Sequence, residues 1–246
     1  MADGIGFIML GFLFKGAVSI NDISVFKSIN LSVKSGEWTC LLGRSGVGKT
    51  TILRLVAGLA ENVNLDGIIK ANDGQGLNGR VALMAQTDNL LPWLDVMENV
   101  LLGARLRGEQ ADRERAFDLI EKVGLADHNN KKPHALSGGE RQRVALARTL
   151  MEQRPIVLLD EPFSALDARV RAEMQELASD ILRGKTILLV THDPGEAARL
   201  GDTILVLDGE GITEVTPPRT PTIRAYDNAD VLACQGQLLR LLREQV

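Results

Sequence analysis

The sequence predicts an α/β fold built on a largely parallel sheet. Short apolar, β-branched runs alternate with longer helical patterns along the 246 residues. Several of those runs are continuously apolar, as in strands covered on both faces. One of them, Trp38 to Leu42, ends in GRSGVGKT and opens directly into a helical pattern. That order of strand, glycine-rich loop and helix is the context a phosphate-binding loop requires.

Taken in order, the first element is a strand in the run IGFIMLGFLF, residues 5–14. Ten residues are too few to span a bilayer, which takes about 20 apolar residues. The acidic Asp3 precedes the run and no basic residue does, unlike a signal peptide. Without a spanning segment, any membrane role is expected to be peripheral. Strands are predicted over 31–33, 38–42, 81–85, 156–159, 186–190 and 203–207. Helices are predicted over 49–60, 96–107, 111–123, 140–152, 168–182 and 194–200, with Gly108 and Gly124 as helix stops. Residues 87–152 hold helical patterns and no strand, and read as a helical lobe inserted into the sheet domain. The main domain is expected over 1–220. Three prolines (Pro217, Pro218, Pro221) then lead to a C-terminal tail, 221–246, with a helix over 229–244.

Composition narrows the function. A chain that is 45% hydrophobic and 24% charged can bury a real core. Its net charge of −4 supplies no field toward nucleic acid or an anionic membrane. Its two cysteines, Cys40 and Cys234, form no disulfide or zinc pattern, which favours a reducing compartment. Cys40 lies in an apolar run and reads as a core residue.

The chemistry starts at Gly43 to Thr50, a full match to G-x-x-x-x-G-K-[ST]. Its glycines let Arg44, Ser45, Gly46, Val47 and Gly48 turn backbone N–H groups around a phosphate. The helix that follows, with Thr51 in its first turn, adds the positive end of its dipole. Lys49 is expected on the β- and γ-phosphates and Thr50 on Mg²⁺. The run Ile156 to Leu159 delivers Asp160, a second anchor for Mg²⁺, and Glu161, a general base for water. A second glycine motif, Leu136-Ser137-Gly138-Gly139-Glu140, has capping-box spacing between Ser137 and Glu140 and exposes another helix N-terminus.

GRSGVGKT, Gln86, LSGGERQ, IVLLDEP, SALD and THD occur in the order found in ATP-binding cassette (ABC) ATPases. The resemblance runs from about Ile8 to Val215. It implies a P-loop NTPase fold with a mostly parallel central sheet, an N-terminal antiparallel β-subdomain and the inserted helical subdomain. It implies ATP and Mg²⁺ as ligands, and a head-to-tail pair of cassettes, a homodimer being expected. Ser137, Gly138, Gly139 and Glu140 would then meet the ATP of the opposite cassette. Asp167, in Ser164-Ala165-Leu166-Asp167, resembles the residue that crosses that interface. His192 resembles the histidine on the γ-phosphate, and Gln86 the glutamine that touches Mg²⁺ or water. His128 and His134 have no counterpart and read as loop residues.

The sequence departs from such cassettes at one place. They carry an aromatic residue some two dozen positions before the P-loop to stack on adenine, and an ungapped count places Ile20 there. Phe14 and Phe26 are off register, so weak or base-tolerant nucleotide binding is expected. The turn after Gln86, Leu90-Leu91-Pro92-Trp93, is similar to the cassettes of nitrate, sulfonate, taurine and pyrimidine-precursor importers, with thiamine-precursor importers as a variant. The resemblance therefore implies an importer subunit on the cytoplasmic face of the inner membrane. Transmembrane permease subunits and, indirectly, a substrate-binding protein would be its partners, with no nucleic acid. A lipid or peptide exporter and a non-transport ATPase are the alternative readings. Trp93 reads equally as an interface anchor or as a residue packed in its own lobe.

Overall fold

The computed structural model describes residues 9–244. Its elements are β1 (Phe12–Ile20), β2 (Ile23–Val33), β3 (Trp38–Leu42), α1 (Lys49–Val56), β4 (Val63–Ala71), β5 (Val81–Met84), α2 (Val96–Val100), α3 (Leu102–Leu106), α4 (Arg113–Lys122), α5 (Gly138–Met151), β6 (Ile156–Asp160), α6 (Ala168–Ile181), β7 (Thr186–Thr191), α7 (Pro194–Leu200), β8 (Thr203–Leu207), β9 (Ile212–Val215) and α8 (Ala229–Glu244). One sheet is antiparallel with order β2-β1-β4, and a second has six strands in the order β5-β6-β7-β3-β8-β9. Strand β3 runs parallel to both β7 and β8, and β9 pairs antiparallel with β8. The predicted α/β class with a mostly parallel sheet and an antiparallel β-subdomain is what the chain forms.

The chain divides into two compact units. The first holds the described residues up to Val81, Pro155–Leu158 and those from Gly184 onward; the second holds Ala82–Arg154 and Leu159–Arg183. In the first, β3, β7 and β8 are buried at every position, which is why their sequences lack alternation. Helix α7 packs on β3 and on α8, and α8 buries Val231, Cys234 and Leu238. Cys40 is fully buried in β3, and burial pushes its thiol pKa well above the ordinary range. The tail is tied down by Arg224, whose guanidinium donates to the carbonyls of Ala198 (3.0 Å), Gly201 (2.8 Å), Pro218 (3.1 Å) and Thr220 (2.7 Å). In the second unit, α2, α4 and α6 pack around α5, which buries Val144 to Ala147 and Leu150.

Several boundaries differ from expectation, each for a local reason. Of the expected strand over 5–14, residues 5–8 lie outside the described residues, and β1 begins at Phe12. Helix α1 stops at Val56 rather than residue 60, because Gly58 turns left-handed and Leu59 N–H returns to the Arg54 carbonyl. Gly108 and Gly124 are left-handed stops as predicted. The helix expected over 96–107 is two short pieces that meet at Leu101. Strand β4 carries no strand pattern in the sequence, because Asn64, Asp66, Gly67 and Lys70 interrupt its apolar residues.

Candidate functional site

In the first unit the glycine-rich loop leaves β3 at Gly43 and enters α1 at Lys49. Gly48 is the N-cap of α1, at φ 105°, and supplies no side-chain cap; the first turn also carries no acidic residue. A Cβ on Gly48 would lie 2.3 Å from the ring tip of Phe26, so the loop needs glycine for both backbone and space. Gly46, at φ 82°, has nothing within 4 Å of its Cβ direction. Lys49 is 5% exposed, and its Nζ donates to the carbonyls of Gly43 (2.8 Å) and Arg44 (3.0 Å). The ammonium is therefore held at the loop's mouth. A helix N-terminus without a side-chain cap and a buried lysine together suit a polyphosphate. Thr50 is exposed and Thr51 half-buried beside it. A cavity of about 710 Å³ flanks the loop, but Asp208, Glu210 and Glu244 line it, which does not suit an anion.

The same unit places His192. Strands β3 and β7 pair in parallel with Leu42 opposite Thr191. Gly43 and His192 therefore leave adjacent strands at the same carboxyl-end edge, where open α/β sheets bind ligands. His192 is exposed. Ile20, at the expected adenine position, ends β1 opposite Ile23 and is half-buried. Phe26 is buried, with its ring against Gly48.

In the second unit the structure brings Gln86 and Glu161 together: the Gln86 Nε2 donates to Glu161 Oε2 at 3.2 Å. Glu161 is a non-glycine residue at φ 46°, and its carbonyl accepts from the N–H and hydroxyl of Ser164. Such strain persists where neighbours over-determine it. Asp160 ends β6 and is 6% exposed. Asp167 is exposed and caps α6 through the N–H groups of Arg169 and Val170.

The second glycine motif forms the predicted capping box. Glu140 N–H donates to Ser137 Oγ at 3.3 Å, and Ser137 N–H to Glu140 Oε2 at 2.7 Å. The other Glu140 oxygen meets His128 Nε2 at 3.0 Å. These bonds, Ser137's first, hold the Glu140 pKa below its ordinary value. Glu140 thus braces the turn with both oxygens, and His128, unassigned from sequence, completes that brace. Gly139 is required by packing, since a Cβ there would lie 2.6 Å from Val170 Cγ1. Ser137 and Gly138 stay exposed.

Comparison with known proteins is decisive. Residues 26–164 match the family model described as ABC transporter. The chain belongs to the ABC transporter family. It is 42% identical to an uncharacterized ABC transporter ATP-binding protein of Haemophilus influenzae, over 92% of this chain and 95% of the relative. It is 46% identical to the aliphatic sulfonates import ATP-binding protein SsuB 1 of Rhodococcus jostii, over 78% of this chain and 76% of the relative. It is 41% identical to the SsuB of Rhodopseudomonas palustris, over 92% of this chain and 80% of the relative. Membership makes the chain an ATP-binding subunit with ATPase activity.

This ABC ATPase holds the stretch after Gln86 with side chains that motif reading did not single out. Asn99, fully buried in α2, donates to the carbonyls of Leu91 (3.2 Å), Leu94 (3.1 Å) and Asp95 (2.9 Å) and accepts from Leu91 N–H (2.8 Å). It fixes the Pro92-Trp93 turn from inside, and Trp93 stands 65% exposed. Trp93 is therefore not packed in its own lobe. From α5, Arg148 donates to the carbonyls of Asn89 (2.8 Å) and Asp88 (2.5 Å), Arg141 pairs with Asp88 at 2.9 Å, and Gln142 reaches the Gln86 carbonyl at 3.4 Å. The signal available in sequence was the spacing: LSGGERQ carries Arg141 and Gln142 on the turn after the glycines. Among the described residues, no helix is long and apolar enough to cross a membrane.

Proposed function

We propose that this ABC ATPase is the energising subunit of an importer for a small organic anion of the aliphatic sulfonate class. The observation that carries the reading is the internally fixed, outward Trp93 turn directly after Gln86, in a chain 41–46% identical to named sulfonate import subunits. A large aromatic side chain on a rigid turn is a natural anchor for a membrane permease. Attachment through that permease would hold the subunit at the cytoplasmic face of the membrane, and a separate binding protein would deliver the cargo.

The residues divide the work as follows. In the first unit, Gly43 to Thr51 cradle ATP phosphates, Lys49 neutralises developing negative charge, and His192 steadies the γ-phosphate. Thr50 is assigned to Mg²⁺. In the second, Asp160 and Gln86 are assigned to the metal shell, and Glu161 takes a proton from water. Mg²⁺ would neutralise phosphate charge. No cluster of three or more His, Cys, Asp or Glu among the described residues could hold a metal alone, so phosphate and water oxygens would complete its shell. Ser137, Gly138 and Gly139 would close on the ATP of a second copy, with Asp167 at that interface, so that ATP favours the closed pair. Without a Tyr or Trp at the Ile20 position, the base is held loosely.

The test has two arms. A tagged Glu161→Gln subunit, retained in ATP-Mg²⁺ and drawn from detergent-extracted membranes of its own cells, should bring down a multi-span protein lacking a cassette. Uptake of a labelled alkanesulfonate should disappear when the gene is deleted and return with the wild-type chain only. Soluble partners alone would remove the transport reading; uptake surviving deletion would remove the cargo.

A further inference from the structure

One buried pair lies behind His192. Thr191, the last residue of β7, is 2% exposed, and its Oγ1 donates to Glu196 Oε2 at 2.6 Å. The same oxygen accepts from Asp193 N–H at 3.0 Å. Glu196, in the first turn of α7, is 4% exposed. Asp193 caps α7 through Gly195 N–H at 2.7 Å.

Asp193 and Glu196 have the spacing of a capping box, in which the glutamate would accept from the N–H of the capping residue itself. Here the Thr191 hydroxyl stands between them. It accepts from the Asp193 N–H and donates its own hydrogen bond to the carboxylate. A simple box would serve helix α7 equally well. The detour has a different consequence: the residues on both sides of His192 share one hydroxyl. A hydroxyl bound to a carboxylate at this distance is among the strong hydrogen bonds of proteins. It fixes how the hydroxyl is oriented, and with it the backbone on both sides of His192, which leaves β7 level with Gly43 on β3.

We propose that Thr191 and Glu196 are positioning residues for His192, acting on hydrolysis through the imidazole without touching ATP. The proposal rests on the reading of His192 as the γ-phosphate contact. Thr191→Val keeps the side chain's shape and removes the hydroxyl. In the full chain it should lower kcat about tenfold, since small misplacements of catalytic groups are costly. KM for ATP should stay within about twofold. Thr191→Ser, which restores donor and acceptor, should recover most of the rate, and Glu196→Gln, which keeps one acceptor oxygen, should recover part of it relative to Glu196→Ala.

The deciding measurement is a double-mutant cycle with His192→Ala, read as single-turnover ATP hydrolysis. Thr191→Val should cost nothing further once the imidazole is gone. Equal proportional losses with and without His192 would overturn the proposal while leaving the role of His192 standing. An unimpaired His192→Ala would instead remove that role, and the proposal with it. If Glu196→Ala fails to fold, Thr191→Val carries the test alone, and unchanged kcat in that variant overturns it.

Discussion

Two glycine-rich turns open helices in this chain, and they are built in opposite ways. At Gly48, helix α1 starts with no side-chain cap and no acid in its first turn, and a lysine is folded into the loop. At Ser137, helix α5 starts inside a closed capping box braced by His128. The first has no side-chain cap and gives up that cap's contribution, about 1 kcal/mol at a typical helix. The second satisfies its own donors and keeps its shape unaided. Glycine serves backbone conformation at Gly48 and close helix packing at Gly139. On the proposed reading, the loop before α1 receives phosphate and the LSGGE turn is presented to a second copy.

The comparison breaks most visibly at the cradle. Lys49→Ala should lower ATPase kcat/KM by about 100-fold or more, the scale for losing a group that stabilises developing charge. Glu161→Gln should cost at least about 100-fold in kcat while ATP binding, followed by titration, persists. Gly48→Ala comes next: a Cβ at positive φ facing the Phe26 ring should destabilise the chain by about 1–3 kcal/mol in denaturant and weaken ATP binding. Phe26→Leu in that background relieves the contact but not the backbone strain, so it should return stability only in part.

At the other turn the effects are smaller and of another kind. Ser137→Ala should cost about 1 kcal/mol of stability and leave the ATP affinity of the single chain unchanged. A loss of ATP affinity there would merge the two turns into one role. The Glu140 pKa is depressed on folding, so its contribution is present above the unfolded value near 4.5 and fades as pH falls through the folded value. The gap in melting midpoint between wild type and Glu140→Gln should therefore narrow on acidification below 4.5. The smallest effect concerns the base: ATP and GTP should bind with similar affinity, and Ile20→Tyr should favour ATP by only about 3–10-fold.

The local structure around both glycine motifs was legible because these motifs fix both residue type and spacing. Gly43 to Thr50 and Leu136 to Glu140 declare their local structure, and the buried strands declare themselves by unbroken apolar runs. The side chains that hold the site in shape left weaker traces. Asn99 looks like an ordinary polar residue in a helical pattern, and its meaning depends on four backbone groups folded around it. Arg148 and Gln142 act across 60 and 56 residues of sequence, a separation that no local pattern encodes. Glu161 adds a left-handed backbone that only coordinates reveal.

The buried Asn99 also has a consequence for how such subunits diversify. Because one internal amide dictates the path of the turn, the outward residues at Pro92 and Trp93 do not have to. Their identities can drift while the loop keeps its course. If that turn meets the permease as proposed, lineages swap its surface to suit a new membrane partner in single substitutions, each starting from a fold that is already intact.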